Sequence, residues 1–195
     1  LKGGIVFADA VTTVSNTYAD EIKTPFYGEG LDGLLRARSN SLRGIVNGID
    51  YNDFNPETDI NLSARYNATT FRKEKVKNKI QLQKDLGLEQ DPKAMMIGIV
   101  SRLTDQKGLD LIDYVFERIL DDNTQFVVIG TGDERYENMF RHYAWKYPDK
   151  VSANIYYADE MSHKLYAAAD AFLMPSAFEP CGLTQLISLR YGTLP

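Results

Sequence analysis

The chain reads as an α/β protein built on a doubly wound parallel sheet, and three observations predict this. From Ala94 onward, short apolar runs alternate with amphipathic stretches in a βαβαβαβα order, the pattern of parallel strands joined by right-handed crossovers. The run Ala94-Met-Met-Ile-Gly-Ile-Val100 is apolar throughout, as a strand covered on both faces requires. The ends of successive apolar runs carry cations, glycines and one acid, the residue types of the ligand edge of such a sheet.

The elements follow in order. Ala10–Val14 reads as a strand, and Asn16–Lys23 and Leu31–Arg38 as helices. These look like the last elements of a first α/β unit. Tyr51–Asn67 is polar and irregular, a loop or linker. Phe71–Leu88 is a lysine-rich helix in which Lys73, Lys75, Lys77 and Lys79 alternate around the axis, so a solvated connector is expected. After the strand at Ala94–Val100, Leu109, Ile112, Phe116 and Ile119 give the next helix one apolar face. Gln125–Ile129 is a second strand ending in Gly130-Thr-Gly132. The following helix opens with Asp133 and Glu134, acids that offset its dipole, and packs through Tyr136, Phe140 and Tyr143. Asn154–Tyr157 reads as a short strand, Ser162–Ala169 as a short helix and Ala171–Met174 as a strand. Gly182–Tyr191 is a last helix stopped by Gly192. The expected domains are residues 1–50, the end of a first α/β domain; 51–93, a linker loop and connector helix; and 94–195, a second α/β domain.

Composition narrows the function. With 195 residues, 44% of them hydrophobic, the chain can bury a sizeable core. A net charge of -5 argues against a nucleic-acid scaffold, whose footprint is basic. One cysteine permits no internal disulfide and fits a reducing compartment. No apolar stretch approaches the roughly 20 residues that span a bilayer. Asn61-Leu-Ser63 and Asn67-Ala-Thr69 match a glycosylation triplet and read as chance without a secretory signal. The first residue is not methionine and the last three, Thr193-Leu-Pro195, read as a strand start, so the chain is expected to be an excerpt of a longer protein.

Three motifs carry chemistry. In Ser101-Arg-Leu-Thr-Asp-Gln-Lys-Gly-Leu-Asp110, two cations five residues apart follow a strand. Arg102 offers a planar fork and Lys107 a mobile point charge, a match to a diphosphate. The alternative is structural: Lys107 starts a helix and Arg102 pairs with Asp105. Gly130-Thr-Gly-Asp133 resembles half of a dinucleotide fingerprint but lacks its third glycine, and glycines permitting a tight strand-to-helix turn explain it better. In Pro175-Ser-Ala-Phe-Glu-Pro-Cys-Gly-Leu-Thr-Gln185, an acid (Glu179) precedes a glycine-led helix start whose free N–H groups suit a ligand with hydroxyls and phosphate. Cys181 stands open as a nucleophile or, more simply, a small packed residue. His163 is expected to be structural, and Asp121-Asp122 a solvated turn. No His, Cys and carboxylate cluster has metal-ligand spacing, so no metal or cofactor is expected.

Taken together, Ala8-Asp-Ala-Val-Thr-Thr-Val-Ser15, Gly44-Ile-Val-Asn-Gly-Ile-Asp50 with Phe54-Asn-Pro56, Ser101–Asp110 and Phe178–Gln185 resemble the bacterial glycogen synthases and plant starch synthases. These are retaining glucosyltransferases of the two-domain GT-B fold. The resemblance implies that residues 94–195 belong to the nucleotide-sugar-binding domain and residues 1–50 to the acceptor-side one. It implies that Arg102 and Lys107 bind the donor diphosphate and stabilise the ADP leaving group, and that Glu179 binds donor-glucose hydroxyls. Gly182, Leu183 and Thr184 would present N–H groups and a hydroxyl to phosphate and sugar. Asn47 would reach the donor from the first domain, Tyr157 would pack on the adenine, and Cys181 would line the sugar pocket. The implied reaction moves glucose from ADP-glucose, a substrate and not a cofactor, to an α-1,4-glucan with retention. A cytoplasmic setting, or a plastid in a plant, goes with it, without nucleic-acid or membrane partners.

Two departures are visible. A second glutamate found eight residues after the first in many related transferases is Ile187 here, and these synthases generally lack that acid too. The family's N-terminal Lys-Thr-Gly-Gly-Leu donor loop and a catalytic-domain histidine are not in the chain, so on its own it is expected to turn over no sugar. Two other readings remain: a GT-B transferase using UDP-sugars or building another glycan, and a non-catalytic nucleotide- or glucan-binding module.

Overall fold

The computed structural model describes residues 1–120 and 123–195, so the turn expected at Asp121-Asp122 lies outside the described residues. The chain divides into two compact units, Leu1–Ile49 with Glu179–Leu183, and Asp50–Phe178 with Thr184–Pro195.

The first unit runs α1 (Lys2–Phe7), β1 (Val11–Thr13), α2 (Asn16–Glu21), α3 (Asp32–Ala37) and β2 (Leu42–Gly44). β1 and β2 pair in parallel, Val11 opposite Leu42 and Thr13 opposite Gly44. The Ser15 side chain accepts from the Tyr18 N–H at 3.0 Å and caps α2, satisfying a donor the helix start leaves open. Gly44 is a close-approach glycine, because a Cβ there would lie 2.2 Å from the Ser15 carbonyl oxygen. Sequence patterning misses α1 and β2. Both are too short to display a period, and neither is apolar enough to stand out.

The second unit runs α4 (Phe71–Leu86), β3 (Met95–Val100), α5 (Leu109–Ile119), β4 (Thr124–Ile129), α6 (Glu134–Lys146), β5 (Val151–Asn154), α7 (Asp159–Ala168) and β6 (Ala171–Phe172). Then comes α8 (Leu183–Arg190). The sheet is parallel with order β5-β4-β3-β6, and Leu194 pairs with Ala171 of β6. Chain order therefore reverses between β3 and β6. At such a switch point the loops leaving the two strands part, and a crevice opens at their carboxyl ends.

One face of the sheet is covered by α5 and α6. Leu109, Ile112 and Phe116 meet Tyr136, Phe140, Phe126, Val128 and Val151 in a buried cluster. Phe116 and Phe126 pack edge to face, centroids 4.9 Å apart. Each such side chain contributes about 1.5–3 kcal/mol by leaving water. On the other face α7 lies close to β3, where a Cβ on Gly98 would sit 3.1 Å from Leu165 and Phe172. The α5 and α6 faces are those the spacing predicts.

Two expectations are corrected. The strand expected at Asn154–Tyr157 instead spans Val151–Asn154. Its pairing ends where Asn154 faces Ile129, the last residue of β4, so Ile155, Tyr156 and Tyr157 have no ladder to join. The connector helix α4 is not simply solvated. It packs against α7, and Lys79 is 6% exposed, its ammonium 2.5 Å from Asp170 and 2.9 Å from the Ala94 carbonyl. The Asp170 carboxylate also accepts from the Met96 N–H at 2.8 Å, which ties the helix to the first sheet strand. Among the described residues no helix is long and apolar enough to cross a membrane.

Candidate functional site

A cavity of about 240 Å³ opens at the carboxyl ends of β3, β4 and β5. Each strand supplies the residues at its exit: Ser101 and Arg102 after β3, Gly130 and Thr131 after β4, Tyr156 and Tyr157 after β5. The first turn of α7 adds Asp159 and Ser162. Because β5 ends at Asn154, the two tyrosines are freed from pairing, and Tyr157 is 88% exposed. An exposed ring at the rim of an apolar cleft, with a guanidinium on another wall, can stack a flat base and hold an anion beside it.

The loop after β3 is held by its neighbours. Leu103 N–H donates to the Thr131 carbonyl at 2.9 Å, and Asp133 N–H donates to the Leu103 carbonyl at 2.8 Å. Gly130, at φ +152, and Gly132 both sit where a Cβ would strike backbone, 1.8 Å from the Ser101 oxygen and 2.2 Å from the Leu103 oxygen. These glycines therefore serve backbone approach, the reading preferred over a dinucleotide loop. Asp105–Lys107 forms a 3₁₀ turn, and Gly108, at φ +64, lies against the Pro175 carbonyl, where a Cβ would come within 2.1 Å. Ala177 N–H donates to the Gln106 carbonyl at 2.9 Å, so the loops after β3 and β6 meet at the switch point. The pairing of Arg102 with Asp105, one sequence alternative, is not what forms: Asp105 bonds Arg135 and, at 2.6 Å, the Tyr136 hydroxyl.

Arg102 and Tyr157 are thus brought to one cavity, while Lys107 closes the 3₁₀ turn below it in sequence. Thr184 is the second residue of α8, and its side chain shares a hydrogen bond with Tyr166. Asn47 is exposed in the stretch after β2, within the first unit. Glu179, Cys181, Gly182 and Leu183 also belong to that unit. Gly182 has φ +76, a backbone that glycine adopts without strain just before α8 begins. Cys181 is half-buried. Among the described residues no group of three or more His, Cys, Asp or Glu side chains is disposed to hold a metal ion.

Sequence reasoning does not find Thr131, Tyr156, Asp159 or Ser162 as pocket residues. Their signal was positional, since each follows a parallel strand or opens the next helix. His163 is structural, as expected, but its partners are distant in sequence. Its Nδ1 lies 2.7 Å from Asp59, which also accepts from the Tyr191 hydroxyl at 2.6 Å, and Phe54 stacks on the ring. The Asp59 hydrogen bond raises the imidazole above its ordinary range, against the opposing effect of burial. Burial alone would raise Asp59, but hydrogen bonds from His163, Tyr191 and the Asn61 N–H outweigh it and lower the carboxyl.

Comparison with known proteins follows from this geometry. A model of the glycosyl transferases group 1 matches residues 79–195, and one of the starch synthase catalytic domain matches residues 1–37. The chain belongs to the group 1 glycosyl transferases. Within that class, the resemblance to glycogen and starch synthases is borne out along the whole chain. It is 72% identical to a glycogen synthase of Lachnospira eligens and 60% identical to one of Clostridium acetobutylicum, in each case over all of this chain and 41% of the relative. The chain thus spans about two fifths of the length of the curated relatives it matches. Among solved structures, the catalytic domain of starch synthase IV from Arabidopsis thaliana, bound to ADP and acarbose, superposes with a TM-score of 0.93 at 41% identity. That match covers 100% of this chain and 40% of the other, and the α/β parallel-sheet fold is of the GT-B type, as expected. Anabaena HepE, in complex with UDP and glucose, shares the fold at 17% identity and a TM-score of 0.64, over 97% of this chain and 44% of the other.

Proposed function

We propose that the protein to which this chain belongs is an ADP-glucose-dependent glycogen synthase. It would extend the non-reducing end of an α-1,4-glucan by one glucose, with the anomeric configuration retained. The observation that carries this reading is the strand-end cavity whose lining includes both Arg102 and the exposed Tyr157. Family membership and the ADP in the Arabidopsis starch synthase structure support it. In this reading residues 94–195 form the nucleotide-sugar-binding domain, 1–50 the end of the acceptor-side domain, and 51–93 the connection between them.

The chemistry follows from charge. As the bond between glucose C1 and the diphosphate oxygen breaks, negative charge grows on the departing ADP. Cations already fixed in place stabilise that charge without reorganising, and this is the role of Arg102 and Lys107. Tyr157 stacks on the adenine, a contact worth about 1–3 kcal/mol. Glu179 accepts hydrogen bonds from donor-glucose hydroxyls. N–H groups at Gly182 and Leu183 and the Thr184 hydroxyl serve phosphate and sugar. Asn47 binds the donor and Cys181 lines the sugar pocket. The setting in this reading is cytoplasmic in a bacterium, or a plastid in a plant.

Calorimetric titration of the chain tests the nucleotide assignment. ADP and ADP-glucose are expected to bind and UDP-glucose to bind more weakly. Tight UDP-glucose binding with no response to ADP-glucose would overturn it.

A further inference from the structure

The Ser101–Gly108 loop carries a problem of its own: between its two cations stands a carboxylate. Asp105 lies three residues after Arg102 and two before Lys107, close enough in a tight turn to neutralise either and to repel a phosphate. The structure shows where that carboxylate goes. Its Oδ1 accepts from the guanidinium of Arg135 and from the Tyr136 hydroxyl at 2.6 Å. Both partners lie in the first turn of α6, which follows β4 through the Gly130-Thr-Gly132 turn. Arg135 also lies over the Tyr136 ring, 4.3 Å from its centroid, so the two donors brace one another. The Tyr136 ring is 3% exposed and fixed in the α5–α6 cluster, whereas the Arg135 and Asp105 side chains are 62% and 75% exposed.

The exposure figures separate two explanations. An ion pair between side chains this open contributes little to stability, so folding accounts for the Tyr136 hydrogen bond but not for the added Arg135 charge. The pair does fix one carboxylate, on the loop that presents Arg102 to the cavity, toward α6. We propose that Arg135 and Tyr136 are positioning residues for nucleotide diphosphate binding: they draw the Asp105 carboxylate onto α6, so that Arg102 meets the diphosphate without a competing carboxylate. This rests on the assignment of the cavity to a nucleotide diphosphate. It also gives a purpose to the glycine turn after β4, which brings the start of α6 against the loop.

The role predicts sign-reversing coupling that a structural contact would not produce. In the 195-residue chain, Arg135→Ala removes the charged one of the two donors that hold Asp105, so its carboxylate competes more strongly for Arg102. The Kd for ADP is then expected to rise about three- to tenfold at low salt, and by less as salt screens the charges. Adenosine, which has no phosphate, is expected to bind Arg135→Ala as it binds the unmodified chain. Arg135→Lys retains most ADP affinity, and Arg135→Ala/Asp105→Ala recovers most of what Arg135→Ala lost. Wild-type ADP affinity in Arg135→Ala, equal losses for ADP and adenosine, or no recovery in the double variant would each overturn the proposal while leaving the nucleotide site standing. Failure of the unmodified chain to bind ADP would overturn both.

Discussion

Lys75 and Lys79 of α4 and Arg102 of the loop after β3 carry the same charge into opposite surroundings. Lys75 sits among oxygens supplied by the protein: the carbonyls of Ala167 at 2.9 Å and Tyr191 at 3.2 Å, and the Thr193 hydroxyl at 2.8 Å. Its amine thus joins the end of α7 to the segment after α8, and Lys79 does the same for Asp170 and Ala94. Burial pushes the Lys75 amine down to about 7, with the Asp170 charge opposing. In the loop, by contrast, Arg102 lines a cavity and the nearby carboxylate is drawn off by α6. A cation whose acceptors are built into the chain is structural. One that faces a cleft is available to a ligand.

The contrast can be broken by paired substitutions. Arg102→Ala removes the charge-assisted hydrogen bonds proposed for the diphosphate and is expected to weaken ADP binding on the order of tenfold to a hundredfold. Its melting temperature should stay near that of the unmodified chain. Lys75→Met is expected to do the reverse. It leaves buried carbonyls unpaired and lowers stability by about 2 kcal/mol in urea unfolding, with ADP affinity unchanged. If both variants lose binding and stability together, the distinction between structural and ligand-facing cations fails.

A smaller effect concerns pH. His163 is raised in the folded state, so its contribution to stability is complete below its ordinary value of 6.5 and is lost as pH rises through the raised one. Asp59 is lowered, so its contribution is present above 3.8 and is lost as pH falls through the lowered value. Stability from this pair is therefore greatest between those limits. His163→Gln should flatten the decline above 6.5 in unfolding measured across pH, and an unchanged slope would remove His163 as its source.

These regions also mark what the sequence could disclose. The helices on the α5–α6 face were legible because their apolar residues repeat at helical spacing and bury as that spacing requires. The loop cations were legible because a strand end is a known place for ligand groups. The aromatic run Ile155-Tyr-Tyr157 was misleading, since β-prone residues mark a strand only where a neighbouring strand reaches them. Lys75 and Lys79 were illegible for a different reason: a lysine is buried only by partners brought in from elsewhere, here 15 to 118 residues along the chain. The Asp59–His163–Tyr191 cluster and the Asp105–Arg135 pair share that obstacle.

The cleft at the carboxyl ends of β3, β4 and β5 is the proposed seat of the nucleotide diphosphate. A crystal structure of the chain with ADP tests it most directly. The adenine is expected against the Tyr157 ring, with phosphate oxygens within hydrogen-bond distance of the Arg102 guanidinium. ADP bound elsewhere, or in the cleft with its phosphates turned away from Arg102, would contradict it.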